Sequence, residues 1–213
     1  VVEQPPLERA QAIYRSFLER VPYENLSNNR AVAESPDDPD HWPRATDRLL
    51  RENADLGLGG TSFSMAYALR DLLHGVGANA HCTLGRNLVT EQVYAAVVAY
   101  AEEVGLLYDP GLLASGPVPV RPGGTLRDPL GTLRLVPRAG ATLTLTVSLH
   151  DLPGHRAIAS LVPLPVPPQR FRQAWVASFH RGRPQPLRLA RRQGDVIRRY
   201  HERHRRVEFL TPR

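Results

Sequence analysis

Apolar residues fall at positions 7, 10, 13, 14, 17, 18 and 21, the spacing of an amphipathic helix over Leu7 to Arg20. Pro22 ends it, because proline cannot continue a helical ladder. Residues 27 to 41 are rich in Ser, Asn, Asp and Pro and read as a loop. A second helix is expected over about Pro43 to Ala54, with proline in its first turn. The run Gly57-Leu58-Gly59-Gly60-Thr61-Ser62-Phe63-Ser64-Met65 then leads into a helix ending at His74. Its apolar positions are 65, 66, 69, 72, 73 and 76, which is one buried helical face. The glycines permit a sharp turn, and a hydroxyl from Thr61 or Ser62 is placed to cap the helix. A nucleophile at that helix start sits in a positive local potential.

From Asn79 the pattern changes. Ala80 to Arg86, Gln92 to Tyr100, Val104 to Tyr108, Thr132 to Val136, Thr142 to Ser148 and Ala157 to Val162 read as strands. The alternation from Thr142 to Val147 predicts one wet and one dry face. Short strands between Gly/Pro turns indicate an antiparallel sheet or small barrel. Prolines at 163, 165, 167 and 168 form a stiff connection. The tail from Gln193 to Val207 reads as a helix. Its pairs Arg191-Arg192, Arg198-Arg199 and Arg205-Arg206 recur every seven residues and would form one basic stripe. The organisation expected is therefore a helical part over 1–78, a β part over 79–165 and an Arg-rich segment over 166–213.

Composition narrows the function classes. The chain has 213 residues and a net charge of +6, and its 27 basic residues are all arginine. That size buries a sizeable core. No apolar run is long enough to span a membrane, and no signal-peptide pattern is present, so a cytoplasmic protein is expected. A single cysteine, Cys82, excludes an internal disulfide framework and fits a reducing compartment. The positive charge gathers toward the C-terminus, but no zinc-finger or RNA-binding aromatic motif accompanies it, so nucleic acid is not the expected partner. No phosphate-loop motif is present. His201 and His204 have a spacing metal sites use, but no third ligand is evident and no metal is expected.

Three blocks, in order, resemble those of the arylamine N-acetyltransferase family over roughly residues 7 to 150. Val21-Pro22-Tyr23-Glu24-Asn25-Leu26 is similar to its Pro-Phe-Glu-Asn-Leu. Gly59-Gly60-Thr61-Ser62-Phe63 is similar to its Arg-Gly-Gly-aromatic-Cys-aromatic-Glu. Leu107-Tyr108-Asp109-Pro110-Gly111 is similar to its strand ending Val-Asp-Val-Gly-Phe-Gly. The resemblance implies an α+β fold of the cysteine-proteinase-like superfamily: an N-terminal helical bundle, a central antiparallel β-barrel or sheet, and a short C-terminal α/β lid. It also implies acetyl transfer from acetyl-CoA to an amine through a Cys-His-Asp triad.

The triad positions read Ser62, Tyr94 and Asp109, with Thr61, Phe63 and Gly111 as the neighbouring ligand-binding positions. The family's arginine before Gly-Gly is Leu58, which leaves Glu24 exposed, protonated or paired with another arginine. Serine needs a base to become a nucleophile, and tyrosine, with an ordinary pKa of about 10, is a poor base near neutrality. His81 and Cys82 are adjacent on a strand and point to opposite faces, so they do not pair. His74 reads as a C-terminal helix charge, and His41, His150, His155 and His180 lie in loops or beside the tail.

The sequence therefore predicts a protein of this fold that has lost acetyl transfer. Its ligand is expected to be aromatic or CoA-like, with acetyl-CoA or another acyl-CoA as the candidate cofactor. The alternative is a divergent acyltransferase or hydrolase using Ser62 as nucleophile. A third reading is a nucleic-acid or partner-binding module using the basic tail.

Overall fold

The computed structural model describes residues 6–101, 104–149, 154, 156–179, 186–201 and 206–211. Four helices come first: α1 (Pro6–Arg20), α2 (Leu26–Glu34), α3 (Thr46–Leu56) and α4 (Ser62–Gly75), with a two-residue strand β1 (Tyr23–Glu24) between the first two. The segment expected to be a loop therefore contains α2. Its buried positions are only Ser27 and Ala31, so its apolar period is faint in the sequence. Helix α3 starts beyond Pro43 and ends where Gly57 takes a left-handed conformation, φ 67°, the geometry that releases a helix from its axis.

Strands β2 (Asn79–Asn87), β3 (Val93–Ala101), β4 (Val104–Tyr108), β5 (Val118–Pro119), β6 (Thr125–Asp128), β7 (Gly131–Pro137), β8 (Leu143–Leu149) and β9 (Arg156–Leu161) form one antiparallel sheet. Its order is β5-β4-β3-β2-β9-β8-β7-β6, and the edge strands β5 and β6 approach each other, so the sheet nearly closes into a barrel. Strands β5 and β6 were not expected; β5 is two residues, one of them proline. Thr144 and Thr146 of β8 are both buried, against the expected wet face. Their hydroxyls are satisfied: Thr146 donates to the Arg134 carbonyl at 3.2 Å and Thr144 accepts from Arg138 at 3.1 Å, which removes the main cost of burying them.

The two faces of β3 serve two cores, as the period of two requires. Ala95, Val97 and Ala99 pack against the helices, whereas Ala96 and Val98, with Tyr94, pack inside the barrel. Helix α4 lies on the first face, with Met65, Ala66, Leu69 and Leu73 fully buried.

The proline-rich connection docks through the Val166 amide on the Cys82 carbonyl at 3.2 Å and leads to α5 (Pro168–Ala177). Phe171 and Trp175, one turn apart, seat α5 on α4: Phe171 lies 5.5 Å from Phe63 and Trp175 lies 5.4 Å from Tyr67, ring centre to ring centre. The described residues of the tail are not helical. Strands β10 (Arg188–Gln193), β11 (Val196–His201) and β12 (Arg206–Leu210) form a sheet in which β10 also pairs β1. The reason is Gly194-Asp195: Gln193 pairs Val196 across this turn and Gly194 sits at φ 56°, the two-residue hairpin geometry glycine favours. In a strand, adjacent arginines point to opposite faces. Arg192 is buried and Arg191 exposed, so the expected basic stripe is split. Arg205 and His204 lie outside the described residues, as do His150, His155 and His180.

Candidate functional site at the start of helix α4

The first two sequence blocks are stitched together by backbone. The Gly60 amide donates to the Pro22 carbonyl at 3.1 Å, and the Glu24 amide donates to the Gly60 carbonyl at 3.0 Å. A Cβ on Gly59 would lie 1.7 Å from the Pro22 carbonyl oxygen, so only glycine permits this approach.

Glu24 is 2% exposed and fully engaged. Its carboxylate accepts the Ser27 amide at 2.8 Å and the Gly59 amide at 3.2 Å, and Arg44 lies 3.9 Å away. Arg44 is itself buried. It pairs Glu52 at 2.6 Å, donates to Ser27 Oγ at 2.7 Å and donates to the Gly59 carbonyl. The cation missing at Leu58 is thus supplied from the segment before α3, and Glu24 is paired rather than exposed. A buried carboxylate needs such partners.

This frame holds Ser62 as the first residue of α4. Thr61 occupies the N-cap position, but its side chain makes no capping bond and its hydroxyl is buried without a partner; the expected hydroxyl cap is absent. Ser62 Oγ accepts the Ala95 amide at 3.5 Å. Beside it passes Gly111, where a Cβ would lie 2.9 Å from Ser62 Cβ and 3.5 Å from Asp109 Oδ1. Phe63 turns into the aromatic contact with α5 while also lining the cavity in front of Ser62.

Asp109 follows β4 and is 3% exposed. Its Oδ1 accepts the Leu112 amide at 3.0 Å, but Oδ2 has no hydrogen-bond partner. Burial pushes its pKa up to about 7, against the lowering effect of the Leu112 and Gly111 amides. The carboxyl therefore holds its proton into the neutral range. Phenols surround it electrostatically: Asp109 raises the pKa of Tyr14, Tyr94 and Tyr23, in each case behind the larger effect of burial.

Tyr94 is on the other face of the strand. Its ring covers Gly85, its cross-strand partner, where a Cβ would meet the ring at 2.1 Å. Its hydroxyl is buried without a partner, and burial holds its pKa well above the ordinary value. Ser62, Tyr94 and Asp109 are thus neighbours around the ends of β3 and β4, but no hydrogen bond joins them into a chain. On the opposite face of β3 from Tyr94, Val93 lines the Ser62 cavity and Ala95 packs against the helices.

The described histidine side chains are placed elsewhere. His41 contacts Asp38 at 2.6 Å and His74 contacts the Ala80 carbonyl at 2.5 Å. His81 lies against Tyr100 with ring centres 5.7 Å apart. Cys82 is buried with its thiol pushed up to about 12, mainly by burial, and so is inert as a nucleophile.

In front of Ser62 lies a polar cavity of about 80 Å³ whose wall includes Asn25, Asn28, Thr61, Gln92, Val93 and Arg188. Asn25 is fixed in this wall, donating to the Pro186 carbonyl at 2.9 Å and accepting the Arg188 amide at 2.8 Å. Sequence reasoning missed Gln92 and Arg188. Nothing local marks either one, because they reach the cavity only through the β2–β3 turn and the pairing of β1 with β10. Among the described residues no cluster of His, Cys, Asp or Glu has the arrangement of a metal site.

No protein-family model matches the sequence, and no curated protein matches it. Solved structures do match. The arylamine N-acetyltransferase of Mycobacterium smegmatis superposes with a TM-score of 0.76 at 18% identity, covering 98% of this chain and 81% of that one. The Salmonella typhimurium enzyme matches at 0.74 and 16%, covering 100% and 81%. The Mycobacterium marinum enzyme, solved in complex with CoA, matches at 0.75 and 17%, covering 100% and 83%. A helical bundle, a nearly closed antiparallel barrel and a C-terminal α/β segment, in this order and with these superpositions, make this the fold of the arylamine N-acetyltransferases.

Proposed function

We propose that this chain keeps the arylamine N-acetyltransferase fold without acetyl transfer, and works in the cytoplasm by binding a CoA-like or aromatic ligand at the Ser62 cavity. The observation that carries this reading is the setting of Ser62. It stands at the helix start, where a positive potential favours an anion or a carbonyl oxygen, but among the described residues the groups around it are the Ala95 amide, Val93, Thr61, neutral side-chain amides and the Arg188 guanidinium, none of them a base. A hydroxyl without a base stays protonated and is a weak nucleophile. Asp109 retains its own proton near neutrality, and Tyr94 turns away. Loss of the thiol and the imidazole from a triad that acts as a unit costs several orders of magnitude in rate.

The cavity takes the small polar end of a ligand, the size of an acetamide or thioester group, with the remainder of a larger molecule lying outside. The M. marinum relative was solved with CoA, which makes an acyl-CoA the first ligand to test. Calorimetry with CoA and acetyl-CoA, alongside release of free thiol in the presence of an arylamine, separates the outcomes. Binding without thiol release is expected. Thiol release that depends on Ser62 would replace this reading.

The second reading, a Ser62-dependent acyltransferase or hydrolase, rests on one observation: the Ser62 side chain lines an open cavity. Labelling by a fluorophosphonate, abolished in Ser62→Ala, would favour it.

A further inference from the structure

A second cavity shares no wall with the first. Its volume is about 240 Å³ and it lies between the barrel strands β7 to β9 and the C-terminal sheet. Leu130, Leu133, Val147, Ile158, Ile197 and Leu210 supply an aliphatic wall. No aromatic ring is among the described residues that line it, so the wall offers flexible alkyl contact and no stacking surface.

Two arginines reach this cavity, and they differ in kind. Arg192 is buried and closed: it forms a two-pronged pair with Asp128 at 2.8 and 3.0 Å and donates to the Leu113 carbonyl at 2.5 Å. Its charge is matched within the protein. Arg199 is half-buried and open. Its charged neighbour is Glu208, its register partner on β12, and no hydrogen bond holds its guanidinium among the described residues. A guanidinium carries five donors in a rigid fork, so Arg199 can face Glu208 and still receive an anion. A half-buried cation in an aliphatic wall is under-solvated, and a carboxylate brought with an apolar tail relieves that cost while filling the space.

We infer that the cavity between the barrel and the C-terminal sheet binds a free medium-chain alkanoate, its carboxylate on Arg199 and its alkyl chain along Leu133, Val147 and Ile158. The volume sets the length. It is roughly eight times the share of one water molecule in the liquid, which an alkyl chain of about eight carbons fills. A thioester or alcohol of the same length has the tail without the charge and is disfavoured. This site does not rest on the reading of the Ser62 cavity, and either can fail without the other.

The test is calorimetric titration of the full chain with octanoate, octan-1-ol and octylamine at low and moderate salt. Octanoate is expected to bind saturably and at least tenfold more tightly than octan-1-ol, with octylamine weakest. Arg199→Gln is expected to bring octanoate down to the level of octan-1-ol, and Val147→Phe, which fills the cavity, to weaken both. The wild-type comparison decides the matter even if a variant does not fold. Equal binding of octanoate and octan-1-ol would overturn the role of Arg199, and no saturable binding of either would overturn the site. Octanoate binding that survives both substitutions in folded protein places the ligand elsewhere and also overturns it.

Discussion

The Ser62 hydroxyl meets the amide of Ala95 at 3.5 Å, one residue along from Tyr94, whose ring crosses to the barrel side of the same strand. Val93 lines the cavity with Ser62 and Ala95 packs on the helix side of the strand, whereas 94 and 96 pack on the barrel side. An imidazole capable of activating position 62 therefore belongs at 93. In a Ser62→Cys background, Val93→His is expected to lower the apparent thiol pKa and speed iodoacetamide alkylation at pH 7 at least tenfold, by stabilising the thiolate. Tyr94→His in the same background is expected to leave alkylation near the level of the single variant. The reverse order would show that residue 94 is the one facing Ser62.

Asp109 gives the protein a pH dependence of definite sign. Its pKa is about 7 in the fold against an ordinary 3.8. Below the lower value both folded and unfolded states hold the proton. Between the two values the unfolded chain releases it and the folded chain does not, so the Asp109 contribution to stability falls as pH rises from about 4 to 7. Above that the full penalty applies, at most about 4 kcal/mol. Asp109→Asn removes the titration. Urea denaturation at pH 4.5 and pH 8 is expected to show the variant gaining relative to wild type at the higher pH; a constant difference at both values would contradict the assignment.

The Arg192–Asp128 pair ties the C-terminal sheet to the barrel from positions that are 4% and 8% exposed. Removing one partner strands the other as a buried charge, a loss of about 3–5 kcal/mol. Arg192→Met and Asp128→Asn are each expected to destabilise by this order. The double variant is expected to lose less than the sum, because neither charge is then stranded. Chemical denaturation of the four proteins gives the cycle; additive losses would mean the two residues act separately.

Gly59 and Gly57 separate two uses of glycine within three residues. A Cβ at 59 collides with the Pro22 carbonyl, whereas one at 57 meets nothing within 4 Å and faces only the left-handed φ of 67°. Gly57→Ala is expected to cost about 1 kcal/mol. Gly59→Ala is expected to cost several times that, since the strap between β1 and the α4 start must open. Thermal unfolding of the two variants measures the contrast, and equal shifts would show that the strap yields freely.

Some of the architecture was legible because it is written in short-range periods. Helix α1 showed in its apolar positions, and the glycines and buried face of α4 announced it. Strands β2, β3, β4, β7, β8 and β9 follow from short β-prone runs between Gly and Pro turns. What misled was local signal in conflict. The Ser and Asn residues of α2 look like loop because only Ser27 and Ala31 are buried. The arginine doublets of the tail look like a helical stripe, although Gly194-Asp195 marks a hairpin.

The three family-like blocks placed Ser62 and Asp109 near one another, and backbone pairing of Gly60 with Pro22 and the passage of Gly111 beside Ser62 account for that. By itself, then, the sequence determined helices α1, α3 and α4, strands β2 to β4 and β7 to β9 in their order, and the residue types at 62, 94 and 109, with no thiol at 62. These depend on neighbours a few residues away. Only the tertiary structure decided which face of β3 looks at Ser62, that Arg44 rather than residue 58 neutralises Glu24, that Asp109 is buried enough to keep its proton, and that Arg192 and Arg199 divide into a closed pair and an open cation. Each of these depends on groups brought together across long separations in the chain, where burial and pairing, not local pattern, set the energy.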